Sequence, residues 1–390
     1  MDRYKLIART AGVKRILAGH PWVFHDDLVS PPVEGDGDVV PLVDGKGQFL
    51  GRGFYNAKSR IAFRLITRED RPVDGAFWKD KLMAALHYRE GLGLKSNARR
   101  LAFSEADGLP GLVVDDYNGS LALQILTKGM ETIREPLIDI LQEALDPQAM
   151  VCRNDAPVRV LEGLEAKKEV IAGTLPPGVE VIEGDLLFVV DLLEGQKTGA
   201  YLDQRENRLF LRPLAAGRKV LDAFCYDGWF ALHMAKGGAS AVVAMDSSEP
   251  ALGRLEVNAA RNKIKGVEPR KENCFNALKA MARSDERFDL IVLDPPPFAR
   301  RKADVRNALN AYREINRRAI QCLNPGGLLF TCCCSHGVSQ DLFAGAVAGA
   351  AAGARRRLVL LEHRMQAPDH PVLFNEPESL YLKAMLFRCD

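Results

Sequence analysis

A chain of 390 residues, 47% hydrophobic and 27% charged, is too long for one ordinary core and has the composition of a globular protein of two or three domains. Its formal net charge of +2 gives no overall field that would indicate a nucleic-acid partner. No apolar run approaches the roughly 20 residues of a membrane helix, and the N-terminus lacks the apolar segment of a secretory signal, so we expect a cytoplasmic protein without a membrane partner.

The eight cysteines are expected to be free thiols. Cys332, Cys333 and Cys334 are consecutive, the other five are scattered, and no C-x-x-C pair occurs. A zinc site is therefore not expected, and we predict no bound metal. In a reducing compartment such thiols stay unpaired, and most serve as small buried hydrophobic side chains.

Residues 1–72 are predicted to form a small β-rich domain. Frequent Gly, Pro and Asp turn signals separate strand-like runs at 38–43, 49–55 and 61–66. Residues 14–24, KRILAGHPWVF, predict a short helix, a turn and a strand. That stretch resembles the start of a PUA domain, a small pseudo-barrel that binds RNA. The pattern alone leaves open a generic β-barrel without an RNA role.

Residues 73–190 are predicted to form a mixed α+β domain that positions RNA. Helices are expected at 77–92 and 133–145, and strands at 99–103, 111–117, 121–127, 149–154 and 186–192. This section supplies no plausible catalytic pair.

Residues 191–390 alternate between strand and helix patterns, which is typical of a mostly parallel, Rossmann-like sheet. The predicted fold class is therefore α/β, with this C-terminal domain following the PUA-like barrel and the central α+β domain. Strands are expected at 220–222, 241–246, 290–294, 327–332, 358–363 and 380–387. Helices are expected at 229–236, 250–262, 303–322 and 342–352.

Residues 219–230, KVLDAFCYDGWF, predict the strand, tight turn and helix that open a βαβ unit. In such folds a ligand lies beyond the carboxyl end of the first strand, where the backbone comes close to it. Gly228 suits that approach because it has no Cβ. The turn lacks the G-x-G-x-x-G sequence that cradles a pyrophosphate. The ligand-binding residues predicted here are Asp222, Phe224, Cys225, Tyr226 and Gly228.

Two further polar residues follow the next strands of this section. Asp246 ends the second strand, 24 residues after Asp222, where a carboxylate accepts hydrogen bonds from ribose hydroxyls. Asn273 follows the region of the third strand, where a side-chain amide can read an adenine edge. We add the adjoining Ser247 and Cys274 to the predicted site. The alternatives are a merely solvated Asp246 and an Asn273 with no role beyond its loop.

Asp294 ends an apolar strand and is followed by Pro-Pro-Pro-Phe. The prolines hold the chain extended and present Asp294 and Pro295 at the end of the sheet. Motifs of the [DNS]-P-P-[FYW] kind recur in methyltransferases that act on nitrogen or carbon atoms of planar substrates. With the 219–230 turn and Asp246, the motif resembles the class I S-adenosylmethionine-dependent methyltransferases. A dinucleotide oxidoreductase, the competing interpretation, would need the glycine-rich turn.

The strand predicted at 327–332 ends in three cysteines and a serine. The C5 carbon of a pyrimidine is a poor nucleophile, and addition of a thiolate to C6 makes C5 reactive enough to take a methyl group. Alternation along a strand places Cys332 and Cys334 on one face, and Cys334 lies nearest the loop. We predict Cys334 as the nucleophile and Asp294 as the group that bonds cytosine N3 and its amino group. Three buried thiols without a catalytic role are the alternative.

Nearly the whole chain resembles the PUA-containing bacterial 23S ribosomal-RNA cytosine-C5 methyltransferases. The matching stretches are HPWVF (20–24), EADGLPG (105–111), LEG (161–163), KTGAYLDQR (197–205), DPP (294–296) and DHP (369–371). The family's thiol lies in a Ser-Cys-Ser stretch, which falls on Cys333-Cys334-Ser335. The resemblance implies S-adenosylmethionine as cofactor and 23S rRNA as partner. It also implies that three residues lie near the methionine end of the cofactor: Tyr201, Asp203 and Arg205.

The predicted function is therefore S-adenosylmethionine-dependent methylation of cytosine C5 in large-subunit rRNA. Three alternatives remain: methylation of a guanine or adenine nitrogen of RNA without a thiol, a non-catalytic RNA-binding assembly factor, and a small-molecule methyltransferase. The group that assists C5 deprotonation is left open between Asp294 and water. Exposed strand edges of a barrel make a homodimer possible.

Overall fold

The computed structural model describes residues 4–299 and 301–390, which divide into two units that interleave along the chain. The first unit takes the described part of Met1–Glu183, with Val189–Leu202 and Pro368–Ser379. The second takes Gly184–Phe188, Asp203–Ala367 and Leu380–Asp390. The three predicted domains, with boundaries at 72 and 190, divide the chain more finely and stay a prediction.

The first unit begins with a five-stranded sheet. Its elements are β1 (Leu6–Ile7), α1 (Thr10–Leu17), β2 (Trp22–Val23), β3 (Asp36–Val43), β4 (Phe49–Asn56) and β5 (Phe63–Thr67). The strand order is β1-β3-β4-β5-β2. Ile16, Val23, Leu42 and Phe63 are buried in the core that the sheet and α1 share. The three strands predicted in this section correspond to β3, β4 and β5, with ends that differ by one or two residues.

A second five-stranded sheet follows in the same unit, in the order β10-β9-β8-β7-β6. The elements are α2 (Gly75–Glu90), β6 (Ala98–Phe103), β7 (Leu112–Tyr117), β8 (Ser120–Ile125), α3 (Lys128–Thr132), α4 (Arg134–Leu145), β9 (Ala149–Asn154), α5 (Val158–Leu161), β10 (Lys167–Gly173) and β11 (Val179–Glu183). The sequence pattern does not indicate β10, because this edge strand is largely solvated and has few apolar positions.

The second unit is built on a seven-stranded sheet. After β12 (Leu186–Val190) come α6 (Arg205–Leu211), β13 (Lys219–Ala223), α7 (Trp229–Lys236), β14 (Ala241–Asp246), α8 (Glu249–Arg261), β15 (Val267–Lys271), α9 (Cys274–Met281), β16 (Phe288–Leu293), α10 (Val305–Gln321), β17 (Leu323–Cys333), α11 (Gln340–Ala354), β18 (Leu358–Arg364) and β19 (Lys383–Cys389). The order is β15-β14-β13-β16-β17-β19-β18. β19 runs in the opposite direction to the other six strands, so the mostly parallel sheet predicted for this section is present.

Strands β13 and β16 lie near the middle of this sheet because they are apolar along most of their length. A strand covered on both faces needs a continuous apolar run, and β16 (FDLIVL) is buried at five of its six positions. Helices α9, α10 and α11 cover one face, with Leu278, Tyr312 and Phe343 buried against Ile291 and Leu329 of the sheet.

The described residues contain neither a membrane-spanning helix nor an evident metal centre. No helix within residues 4–299 and 301–390 is long and apolar enough to cross a bilayer. No group of three or more His, Cys, Asp or Glu side chains in that part of the chain is arranged to hold a metal ion.

Candidate active site

The carboxyl ends of four parallel strands meet at one end of the seven-stranded sheet. Strands β14, β13, β16 and β17 are neighbours in that order. Asp246 ends β14, the 224–228 turn follows β13, Asp294 follows β16 and Cys334 follows β17. Ligands of such sheets bind where the chain order reverses, which here is between β13 and β16. The structure therefore brings the predicted cofactor turn and both predicted catalytic residues to the same end of the sheet.

The turn after β13 holds an unusual backbone conformation. Phe224 (φ +64°) and Tyr226 (φ +50°) lie in the left-handed region, which residues other than glycine rarely adopt. Hydrogen bonds fix the turn, because Cys225 N donates to Met245 O at 3.0 Å and Tyr226 N donates to Asp246 Oδ2 at 2.9 Å. Strain held in this way is typical of ligand-binding segments.

Replacing Gly228 by alanine is expected to destabilise the second unit by about 1–3 kcal/mol. A Cβ at this position would lie 2.2 Å from Leu255 Cδ1, and φ is +77°. Gly253 on α8 is the matched control, because an added Cβ there meets nothing within 4 Å and alanine is the better helix former by about 1 kcal/mol. Urea unfolding should give changes of opposite sign for the two variants. Equal stabilities would contradict this explanation of the turn.

Asp222 is fully buried one residue before the end of β13. Its Oδ2 accepts a hydrogen bond from Ala231 N at the start of α7 at 2.9 Å, whereas its Oδ1 has no partner among the described residues. Burial, with smaller contributions from Asp294 and Asp246, raises the pKa of Asp222 to about 8. The three strand-end acids are thus close enough to influence one another, and a polar group of a bound ligand would satisfy Oδ1.

An Asp222→Asn variant is expected to lose part of the pH dependence of stability. Between pH 3.8 and about pH 8, the folded chain keeps a proton on Asp222 that the unfolded chain has released. Raising the pH through that window therefore destabilises the wild type. Burial also raises the pKa of Asp227, to about 7. This residue acts in the same direction and remains in the variant. Between about pH 5 and pH 9 the Tm of the variant should decline less steeply, and parallel curves would refute the assignment.

Asp246 is held by the backbone around it. Its Oδ2 accepts from Tyr226 N and its Oδ1 accepts from Ser248 N, each at 2.9 Å. A carboxylate oxygen can accept more than one hydrogen bond, and the side chain is half-buried, so both oxygens remain usable for ribose hydroxyls. The adjoining Ser247 is exposed at the same strand end.

Asn273 caps a helix that the sequence pattern does not indicate. Its Oδ1 accepts a hydrogen bond from Asn276 N at 3.2 Å, which starts α9, and its exposed NH2 group is the part that can face an adenine. Cys274 Sγ lies 3.6 Å from Met245 O in the core, and burial raises the pKa of this thiol to about 12. Burial likewise raises the pKa of Cys225. These two residues can therefore offer a ligand their backbone rather than their sulfur.

The three consecutive cysteines differ in their surroundings. Cys332 Sγ accepts a hydrogen bond from Gln204 Nε2 at 3.4 Å, and Cys333 lies in the core under α10 and α11. Both are completely buried, whereas Cys334 is half-exposed just after β17. Cys334 Sγ lies 3.6 Å from Pro295 O. Cys334, which the alternation of side chains along the strand predicted as the nucleophile, is therefore the thiol that a substrate can reach. It adjoins the loop that carries Asp294.

Asp294 is half-buried between the turn and the cysteine strand. Its backbone N donates to Ala223 O at 3.4 Å, which ties it to the end of β13. Its charge contributes to the raised pKa values of Asp222 and Cys332, in both cases after burial. The aromatic ring of Phe298 secures the same loop, with its centroid 4.6 Å from that of Tyr312 on α10.

Comparison with known proteins decides the family. Residues 165–388 match the family described as S-adenosylmethionine-dependent methyltransferase, and residues 7–68 match the family described as PUA-like domain. The chain belongs to the S-adenosylmethionine-dependent methyltransferase family. The predicted cofactor, S-adenosylmethionine, is thereby confirmed, as is the fold class of a Rossmann-like methyltransferase domain with an N-terminal PUA-like domain.

Relatives along the full length carry a more specific name. The methyltransferase is 39% identical over 384 residues to "Ribosomal RNA large subunit methyltransferase I" of Tolumonas auensis, with 96% of each chain covered. It is 38% identical over 394 residues to the protein of the same name from Enterobacter sp. strain 638, with 98% of this chain and 99% of the relative covered.

Solved structures agree with the fold. SMU.776, a methyltransferase complexed with SAH, covers 100% of both chains with a TM-score of 0.88 and 21% identity. A second methyltransferase structure from Streptococcus mutans covers 100% of both chains with a TM-score of 0.86 and 20% identity. At these sequence identities, the structural similarity supports only the fold of the methyltransferase.

The residues at the sheet end fit the parts of S-adenosylmethionine. Within residues 4–299 and 301–390 Asp222 Oδ1 has no partner, and Asp246 offers its carboxylate at the position where ribose is bound in such folds. The half-buried rings of Phe224 and Tyr226 are suited to a sulfonium or a sugar. Arg254 covers one face of Tyr226, with its guanidinium carbon 5.1 Å from the ring centroid, so that face is not available to a ligand.

The three residues implied by resemblance have dissimilar environments. Asp203 is buried and its Oδ2 accepts from Tyr381 Oη at 2.7 Å, while Arg205 is fully buried beside Glu206 with Nε to Oε1 at 3.1 Å. Tyr201 belongs to the first unit, where Lys197 Nζ lies 4.3 Å from its ring centroid. A place for these side chains near the methionine end of the cofactor stays a prediction.

Three polar residues around the cysteine strand were not predicted as site residues. Gln204 bonds Cys332, Ser335 bonds Tyr312, and Lys383 bonds the backbone of Ser335. Gln204 and Ser335 lie within or beside stretches that match the family. Lys383 stands in a plain apolar strand pattern, so only the pairing of β19 with β17 identifies it.

Proposed function

We propose that this methyltransferase methylates C5 of a cytosine in large-subunit (23S) ribosomal RNA through a covalent bond between Cys334 and C6. The observation that carries the proposal is the half-exposed Cys334 thiol at the carboxyl end of β17, 3.6 Å from the backbone of the Asp294 loop. Methylation of a ring or exocyclic nitrogen does not require a thiol at this position, whereas C5 chemistry does.

The chemistry assigned to Cys334 is addition followed by elimination. The thiolate forms a bond to C6, and the electrons of the C5–C6 double bond move into the ring, which makes C5 nucleophilic. The bound S-adenosylmethionine supplies the methyl group that C5 takes up. Loss of the C5 proton to a base restores the double bond and expels the Cys334 thiolate, so the enzyme is regenerated. Asp294 or a water molecule can take that proton.

Asp294 is assigned the orientation of the base. A carboxylate at the end of β16 can accept a hydrogen bond from the cytosine amino group and, when protonated, can donate to N3. Either contact stabilises the charge that moves into the ring when the thiolate adds to C6. Cys334 Sγ lies 3.6 Å from the backbone oxygen of Pro295, the residue after Asp294, which supports the assignment of both side chains to one bound base.

The substrate is inferred from the relatives and from the PUA-like domain. Full-length relatives with 38–39% identity are named for methylation of large-subunit ribosomal RNA. PUA-like domains are small barrels used for RNA binding, and residues 7–68 match that family. A large RNA as substrate accounts for an accessory domain that a small-molecule methyltransferase would not need.

Transfer of a labelled methyl group tests the proposal. The full chain is incubated with labelled S-adenosylmethionine and large-subunit rRNA that lacks the modification, and the RNA is digested to nucleosides. We expect the label in 5-methylcytidine. Label in a methylated guanosine or adenosine would favour the nitrogen-directed alternative. Tight RNA binding without any transfer would favour an assembly factor, and either result would overturn the proposal.

A further inference from the structure

A buried lysine lies next to the proposed nucleophile. Lys383 begins β19, and its Cα is paired with that of Cys333 across the antiparallel β17–β19 ladder. The residue is 3% exposed, and its Nζ donates a hydrogen bond to Ser335 O at 2.9 Å. The ammonium group therefore holds the carbonyl of the residue that directly follows Cys334.

Ser335 is held on its other side as well. Its Oγ lies 3.0 Å from Tyr312 Oη of α10 and accepts a hydrogen bond from Ala299 N at 3.1 Å. Ala299 belongs to the loop that follows Asp294. The contacts of Ser335 thus join the segment that carries the thiol to the segment that carries the proposed base-orienting carboxylate.

The charge on Lys383 has no acidic counterpart nearby. No carboxylate of the described residues lies within 4.0 Å of its ammonium, so no ion pair offsets its burial. The titratable groups around it are Cys333, which is paired with Lys383 across the ladder, Cys334, which precedes the bonded Ser335, and Tyr312, which contacts Ser335 Oγ. Burial lowers the pKa of Lys383, and the two thiols act in the opposite direction. A cation buried in this way is stabilised when one of the facing thiols ionises.

We propose that Lys383 is a positioning residue that fixes the Ser335 carbonyl and, through its positive charge, favours the thiolate form of Cys334. The inference rests on the proposed function, because it explains how the nucleophile named there becomes reactive. The thiol proton leaves Cys334 Sγ for water, and Lys383 stays protonated throughout. Cys334 is the thiol concerned because it is half-exposed, whereas Cys333 is sealed in the core.

Alkylation kinetics test this without RNA or cofactor. The full chain is treated with iodoacetamide over a range of pH, and modification of Cys334 is followed by peptide mass spectrometry. All eight cysteines lie in the described part of the chain, and seven of them are buried, so the native protein should react first at Cys334. We expect the wild-type thiol to titrate below the value of about 8.5 that is usual for a free cysteine.

Variants at Lys383 separate charge from packing. Lys383→Met keeps the length of the side chain without the charge, and we expect the apparent pKa of Cys334 to rise by about one unit, with alkylation near pH 7 slowed about tenfold. Lys383→Arg keeps the charge and should stay close to the wild-type profile. Thermal unfolding of each variant identifies loss of fold, which alone would expose all eight thiols to the reagent.

Two results would overturn the inference. One is a wild-type Cys334 that titrates at or above about 8.5, which is decisive even if the methionine variant does not fold. The other is a folded Lys383→Met variant whose profile superimposes on that of the wild type. If either result is found and the enzyme still forms 5-methylcytidine, only the role of Lys383 is refuted and the proposed function stands. If Cys334 titrates as expected but the enzyme forms no 5-methylcytidine, only the proposed function is refuted.

Discussion

A Cys334→Ala variant is expected to form 5-methylcytidine at least about 10³-fold more slowly than the wild type, because no other group supplies the addition to C6. The side chain is half-exposed and leaves little cavity, so folding and cofactor binding should persist. The rate is measured as transfer of labelled methyl groups to unmodified large-subunit rRNA, and cofactor binding by calorimetry.

Cys333→Ala is the matched control for that variant. It removes the neighbouring thiol, which is buried in the core under α10 and α11, and should lower stability slightly while methyl transfer stays within a few-fold of the wild type. Unimpaired transfer by Cys334→Ala would mean that the reaction uses no thiol at this position. A loss confined to Cys333→Ala would place the nucleophile one residue earlier.

An Asp294→Asn variant is expected to lower kcat for methyl transfer by about 10²–10³-fold. The substitution keeps the shape of the side chain but removes the charge and replaces one acceptor by a donor, which opposes the cytosine amino group. Single-turnover rates at saturating cofactor measure the chemical step directly. Because Asp294 also contributes to the raised pKa of Asp222, the variant should bring the pKa of Asp222 closer to its ordinary value.

Asp289→Asn provides the comparison on the same strand. Asp289 lies near the opposite end of β16, where its Oδ2 accepts from Lys219 N at 2.9 Å and its Oδ1 accepts from Asn324 Nδ2 at 2.8 Å. These contacts lower the pKa of Asp289, so its replacement should cost stability rather than kcat. Equal kcat values for the variants at 289 and 294 would remove Asp294 from the reaction.

The end of the parallel sheet could be predicted because its signals are local. Asp222, Asp246 and Asp294 each follow an apolar run, and parallel strands bring their carboxyl ends together. The same reasoning could not show that Cys225 and Cys274 are both buried, since a turn and a helix start have no simple alternation. Helix α9 is short, and its Asn273 cap is its main signal.

The surroundings of Cys334 depend on pairings between distant parts of the chain. Lys383 reaches Ser335 only because β19 returns antiparallel beside β17, about 50 residues later in sequence. Gln204 reaches Cys332 from a segment 128 residues away. No periodic pattern in the sequence indicates either contact. Cys334, the proposed nucleophile, is therefore indicated by a motif, whereas the contact between Lys383 and Ser335 is visible only in the folded chain.

Trapping the covalent intermediate tests the central claim most directly. RNA containing 5-fluorocytidine has no C5 proton to lose, so an enzyme that bonds C6 and methylates C5 stays attached to it. With S-adenosylmethionine present, we predict a stable one-to-one protein–RNA adduct, which peptide mass spectrometry locates at Cys334. Free enzyme after turnover, or an adduct at any other residue, would contradict the mechanism proposed for this methyltransferase.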